Sequence, residues 1–140
     1  MHRFQKILLL GTTLITLPFT YQFIKEFSIY SSLRANAPAQ ILQWEVEEVS
    51  GRFSLQGTYT FQYQGNLWKG VSRLPPPYFL NEPAAVTSLR ERAKQPWTAW
   101  YNPNNPSLSS LHRTFPTNLF FRAITCYVVL FYFLLVRIRL

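Results

Sequence analysis

Enzyme chemistry needs ionisable or nucleophilic side chains gathered at usable spacing, and this chain is short of them. It has no aspartate, two histidines and one cysteine in 140 residues. General acid–base catalysis needs a carboxylate or imidazole in a shielded pocket, and nucleophilic catalysis needs a nucleophile beside a base. His2 stands at the amino end and His112 lies far along the chain beside Arg113. Glu45, Glu47 and Glu48 are the one dense carboxylate group. On an extended segment Glu45 and Glu47 share a face, yet no further ligand follows at a metal-binding interval. A solvated strand face is the expectation, and no metal or cofactor site is assigned. There is no glycine-rich phosphate loop, and Cys126 has no second cysteine to pair with. The expectation is therefore a protein that is not an enzyme, with no catalytic residue.

The elements that would position any site are bracketed by two apolar stretches. Residues 7–24 and 119–136 are each 18 residues long. As helices each would measure roughly 27 Å, close to the ~30 Å hydrocarbon layer of a bilayer. Met1-His2-Arg3-Phe4-Gln5-Lys6 before the first stretch is like the basic start of a signal peptide. The small-residue pattern Ala35-Asn36-Ala37 lies well beyond the apolar run and is followed by Pro38, so an uncleaved anchor is expected. Pro18 is tolerated within a membrane helix. Arg122, one turn into the second stretch, reads as a snorkelling anchor, and Cys126 as an apolar filler.

The formal net charge of +8 is spread unevenly. Arg3, Lys6, Arg137 and Arg139 lie in the two short tails. Residues 27–118 carry eight basic and five acidic side chains, a balance of +3, too small and scattered for nucleic-acid binding. Arg90, Arg92 and Lys94 read as a solvated helix face. Short basic tails stay in the cytoplasm, whereas a long loop crosses largely regardless of its charge. Both termini are thus expected in the cytoplasm and the central region outside the inner membrane.

Between the stretches, Leu42, Trp44 and Val46 alternate with Gln43, Glu45 and Glu47, the period of a half-buried strand. Gly51 permits a bend. Residues 58–64 form the clearest strand, with Tyr59, Phe61 and Tyr63 on one side and threonine and glutamine on the other. Gly65-Asn66 predicts a tight turn into a strand over 67–74, and Pro75-Pro76-Pro77 ends that hairpin as a stiff connector. Asn81 reads as the N-cap of a helix reaching Gln95, with Val86, Leu89 and Ala93 as its packing stripe. Residues 97–101 predict a further strand, 102–106 a turn cluster, and 107–118 a return to the membrane. Trp44, Tyr59, Phe61, Tyr63, Trp68, Trp97, Trp100 and Tyr101 are expected to form the core.

The expected fold class is α+β, with two transmembrane helices, one at each end, flanking a small mainly antiparallel β domain with one helix. The expected division is 1–27 (tail and first helix), 28–118 (extracytoplasmic domain) and 119–140 (second helix and tail).

The string Tyr59-Thr60-Phe61-Gln62-Tyr63-Gln64-Gly65-Asn66-Leu67-Trp68-Lys69-Gly70 is followed about thirty residues later by Trp100-Tyr101-Asn102-Pro103-Asn104-Asn105-Pro106-Ser107. Together they resemble the bacterial membrane family called domain of unknown function 3592, over roughly residues 44–111. Trp68 stands where that family usually has tyrosine, and Asn102 where aspartate is common. The resemblance implies a small β domain beside one or two membrane helices and brings no catalytic residue with it. The favoured function is a membrane-anchored, non-catalytic interaction or accessory domain of the cell envelope, with the lipid bilayer and another membrane protein as partners. The alternative is an extracytoplasmic ligand-sensing domain whose aromatic cluster binds a small molecule or glycan.

Overall fold

The computed structural model describes residues 2–139. Met1 and Leu140, which close the two tail ranges, lie outside the described residues, as do the side chains of His2, Arg137 and Arg139. In chain order the elements are α1 (His2–Ser32), β1 (Ala35–Val49), β2 (Arg52–Tyr63), β3 (Asn66–Arg73), α2 (Glu82–Arg92), β4 (Trp97–Asn102), β5 (Asn105–Ser110) and α3 (Thr117–Arg139). The fold is α+β: two terminal apolar helices flank an antiparallel sheet that carries one further helix. The chain divides into two units, Met1–Tyr30 with Thr114–Leu140, and Ser31–Arg113.

In the first unit, α1 and α3 are both long and apolar enough to cross a membrane. At 1.5 Å per residue α1 is roughly 46 Å long and α3 roughly 34 Å. The threonines of α1 turn their hydroxyls back onto its own backbone: Thr12 donates to the Leu8 carbonyl at 2.7 Å and Thr16 to the Thr12 carbonyl at 2.7 Å. This hides polar groups that an apolar surrounding would penalise. Thr16 of α1 and Ala123 of α3 are both buried. Beside them the Thr20 and Tyr127 hydroxyls lie 3.0 Å apart, and Phe23 packs on Phe120 with ring centroids at 5.6 Å. The remaining faces display Leu10, Leu14, Leu17, Phe121, Val128 and Leu135, all highly exposed. Such a surface is far more apolar than water-facing helices tolerate and suits lipid.

The second unit is a five-stranded sheet in the order β3-β2-β1-β4-β5, with every ladder antiparallel. β1 is shared: Ala35 to Ala39 pair with β4, and Gln40 to Val49 with β2. A bulge between Ile41 and Gln43 re-aims the strand where it changes partner, leaving Leu42 exposed. Pro38 falls where β1 has a neighbour on one side only, so its missing N–H disturbs no second ladder. Since each ladder is antiparallel, β3 and β5 run parallel to one another, and the curled sheet brings them side by side. A long first strand serving both halves, a helix between the third and fourth strands, and an incomplete β3–β5 seam make a partly open barrel of the OB type.

Tight turns set the registers. Ser50-Gly51 and Gln64-Gly65 join their strands with φ of 52° and 77°, and of 51° and 75°. These are the two-residue turns whose twist suits a hairpin. The second turn centres on Gln64-Gly65 rather than on Gly65-Asn66, because Tyr63 already pairs with Asn66. Asn81 does cap α2, accepting from the Ala84 N–H at 2.9 Å. The packing stripe of α2 is Ala85 and Leu89, which meet Leu55 and Leu74; Ala93 is exposed. One helical turn starting from Ala85 explains the correction, since 85 and 89 share a face and 93 falls past the last regular turn.

Two stretches without an obvious strand pattern are strands. Ala35, Ala37 and Ala39 alternate with exposed Asn36, Pro38 and Gln40 and press their small side chains on the aromatic core. Residues 105–110, expected to be turn and lead-out, form the edge strand β5, in which Pro106 is tolerated because only one side is paired.

Candidate functional site

The densest convergence of unusual side chains is the barrel interior. Tyr59 and Phe61 from β2, Ala99 and Tyr101 from β4 and Leu111 are buried together, with Trp44, Tyr63, Trp68 and Trp97 packed around them. Phe61 stacks on Tyr101 at 5.0 Å and Tyr63 tilts against Tyr101 at 4.9 Å. These aromatics fill the core that the sheet's inward faces enclose. Trp100 departs from the expectation: strand alternation places it opposite Ala99 and Tyr101, on the outer face, where the Arg113 guanidinium carbon lies 5.6 Å from its ring centre.

The incomplete seam is closed by hydroxyls. Tyr59 Oη lies 2.8 Å from Ser109 Oγ, Ser72 Oγ lies 3.1 Å from Ser110 Oγ, and the Leu111 N–H donates to Ser72 Oγ at 3.2 Å. Burial pushes the Tyr59 phenol above its ordinary value, partly opposed by its bond to Ser109. The phenol therefore stays neutral at physiological pH. Gly70 permits this arrangement, because a Cβ there would lie 2.5 Å from Tyr59 Cζ and Oη and 2.7 Å from Ser109 Oγ. Sequence reasoning missed the seam, since two of its serines, Ser109 and Ser110, lie in β5, a strand it did not expect. The spacing of Ser107, Ser109 and Leu111 on one side of the chain is the signal that could have found it.

The polar candidates are dispersed. Glu45 accepts from Gln43 at 2.8 Å, and Glu47 pairs with Arg73 at 2.6 Å on the outward face of the sheet. Glu48 is exposed on the same strand, next to the turn. The Arg73 guanidinium is held above its already high range chiefly by its hydrogen bond to Glu47. Both partners are well exposed, so this pair contributes little to stability. His112 Nδ1 lies 3.3 Å from Ser110 Oγ. Arg90 and Arg92 occupy the last turn of α2, where their charge suits the helix dipole. Arg122 is exposed on α3, and Cys126 is a half-buried free thiol. Among the described residues, no three His, Cys, Asp or Glu side chains gather closely enough to hold a metal ion.

The outside of the barrel carries apolar side chains and a cleft. Leu42, Leu67 and Val71 are exposed aliphatic side chains on β1 and β3. A shallow cleft of about 290 Å³, lined by Ala37, Pro38, Gln40, Thr60, Phe61, Gln62 and Leu67, lies across the strands beside Leu67. Comparison with family models, with curated proteins and with solved structures finds no match to this chain.

Proposed function

We propose that this is a membrane-anchored, non-catalytic interaction domain of the cell envelope, held by α1 and α3 and presenting the barrel to another membrane protein. The observation that carries the reading is the placement of the aromatics. A ligand-sensing surface would display them in a concavity, whereas here Tyr59 and Phe61 are 0% and 2% exposed and serve as core. Outside the barrel are exposed aliphatic side chains, Leu42, Leu67, Val71, Leu80 and Leu108 among them, of the kind that protein partners cover. The cleft beside Leu67 supports the ligand-sensing alternative only weakly. Its volume falls at the lower bound for small-molecule sites, and Phe61 is its one aromatic. Membership of domain of unknown function 3592 is part of this proposal, and it would imply a β domain beside membrane helices with no activity attached.

The proposal also has the short basic tails in the cytoplasm and the barrel outside the inner membrane. Reporter fusions after Leu140 are expected to behave as cytoplasmic, and insertions at Asn104, in the β4–β5 turn, as exported. The reverse pattern overturns this orientation.

Absence of turnover has its own test. Glu45→Gln, Glu48→Gln and His112→Ala are each expected to leave cellular function intact, measured by complementation of a deletion strain, while removal of residues 119–136 abolishes it. Loss of function in one of the three conservative variants, at normal abundance and membrane insertion, would restore an enzymatic reading.

A further inference from the structure

Where the apolar stretch of α1 ends, a cleft of about 400 Å³ opens, lined by Pro18, Tyr21, Gln22, Lys25 and Glu26 of α1 and Leu119 of α3. Its size falls within the ordinary range for a bound small molecule. The ring contact of Phe23 with Phe120 sets the start of the α3 apolar run at the same level as the end of the α1 run. If α1 and α3 span a bilayer, the cleft therefore lies where hydrocarbon gives way to headgroups, and the inference rests on that reading.

Its lining has a particular charge pattern. Lys25 and Glu26 are consecutive helical residues, about 100° apart around the axis, so they do not face each other and cannot pair well. Neither Lys25 nor Glu26 belongs to the ion pair Arg73–Glu47. An ammonium and a carboxylate thus open side by side onto one cleft, with the Tyr21 phenol and the Gln22 amide as further hydrogen-bonding groups and Pro18 and Leu119 as apolar wall.

We propose that this cleft seats the headgroup of a zwitterionic phospholipid bearing a primary amine. Lys25 takes the phosphate as a charge-assisted hydrogen-bond donor, and Glu26 accepts from the lipid ammonium. The acyl chains then run along the apolar faces of the helices. A choline headgroup offers Glu26 no N–H, and a glycerol headgroup leaves the lipid with net negative charge beside a carboxylate. The chemistry accordingly favours the amine headgroup over both.

The test uses the full chain purified in mild detergent, with native mass spectrometry of adducts formed with phosphatidylethanolamine, phosphatidylcholine and phosphatidylglycerol of matched acyl chains. The wild type is expected to retain the ethanolamine lipid about tenfold more than either of the others, the effect of one charge-assisted hydrogen bond. Glu26→Leu should bring ethanolamine and choline lipids to equal retention, and Lys25→Gln should lower all three. These side chains are exposed, so helix content by circular dichroism should be unchanged in both variants. Equal adduct patterns in all three proteins, or a preference for the glycerol lipid, overturn the proposal. Carbonate extraction of cell membranes separates the two failures. Release of the protein overturns the membrane reading and the lipid site together, whereas retention with no lipid preference overturns the lipid site alone.

Discussion

Phe61→Ala is expected to lower the stability of the Ser31–Arg113 unit by about 3–5 kcal/mol, the range for emptying a buried phenylalanine position. Phe61 is at the centre of the aromatic core, stacked on Tyr101 and neighbouring Tyr59 at 6.3 Å. The surrounding positions are supplied by four strands whose ladders hold them apart, so the cavity cannot collapse cheaply. Gln62→Ala, one residue on and pointing outward, should change stability by no more than about 0.5 kcal/mol. Denaturant titration of the full chain in detergent, followed by tryptophan fluorescence, measures both. Small effects at both positions would mean that the aromatics are displayed rather than packed, and would favour ligand sensing.

Gly70→Ala should cost about 3 kcal/mol, the upper end of the usual ~1–3 kcal/mol for forcing extra volume into a packed site. The added methyl would occupy the space through which the Tyr59 phenol reaches Ser109. Tyr59 cannot swing aside, since it is fully buried and its ring is stacked along Phe61. The same substitution at Gly11, where nothing lies within 4 Å of the added carbon, should leave stability unchanged or raise it. A double-mutant cycle isolates the cause. In a Tyr59→Phe background the oxygen is gone, so the Gly70→Ala penalty should shrink, with a coupling of about 1 kcal/mol. Strictly additive effects would show that residue 70 is not limited by the phenol.

How much of this was legible before the structure depends on side-chain size. The strand carrying Tyr59, Phe61 and Tyr63 was readable because large aromatics alternate with polar residues, and so was Asn81, whose cap chemistry is local. The first five residues of β1 were not, because alanines facing a crowded core leave a weak alternation even though they are inward. β5 was hidden for the opposite reason: its inward groups are serines that bond across a seam, and no periodicity of hydrophobicity records a hydroxyl meeting a distant tyrosine. Trp100 was misassigned because composition counts aromatics without regard to parity, and only the alternation with Ala99 and Tyr101 turns it outward. The cleft at Lys25 and Glu26 was legible as residues but not as a site, since it needs Leu119 from the far end of the chain.

The divided allegiance of β1 also sets a schedule. Its second half meets β2 across a two-residue turn, so that hairpin and β3 can form as soon as they are made. Its first half must wait for β4, with Ala35 opposite Tyr101, more than sixty residues later. At about 5–20 residues per second during synthesis, that interval lasts roughly 3–13 seconds. Throughout it residues 35–39 form a bare strand edge, the kind of template on which nascent chains pair wrongly with one another. Pro38 offers no N–H to such a partner, and three alanines with weak strand preference give it little to grip. The residues that make this segment hard to recognise as a strand are the ones that keep it unattractive until β4 arrives.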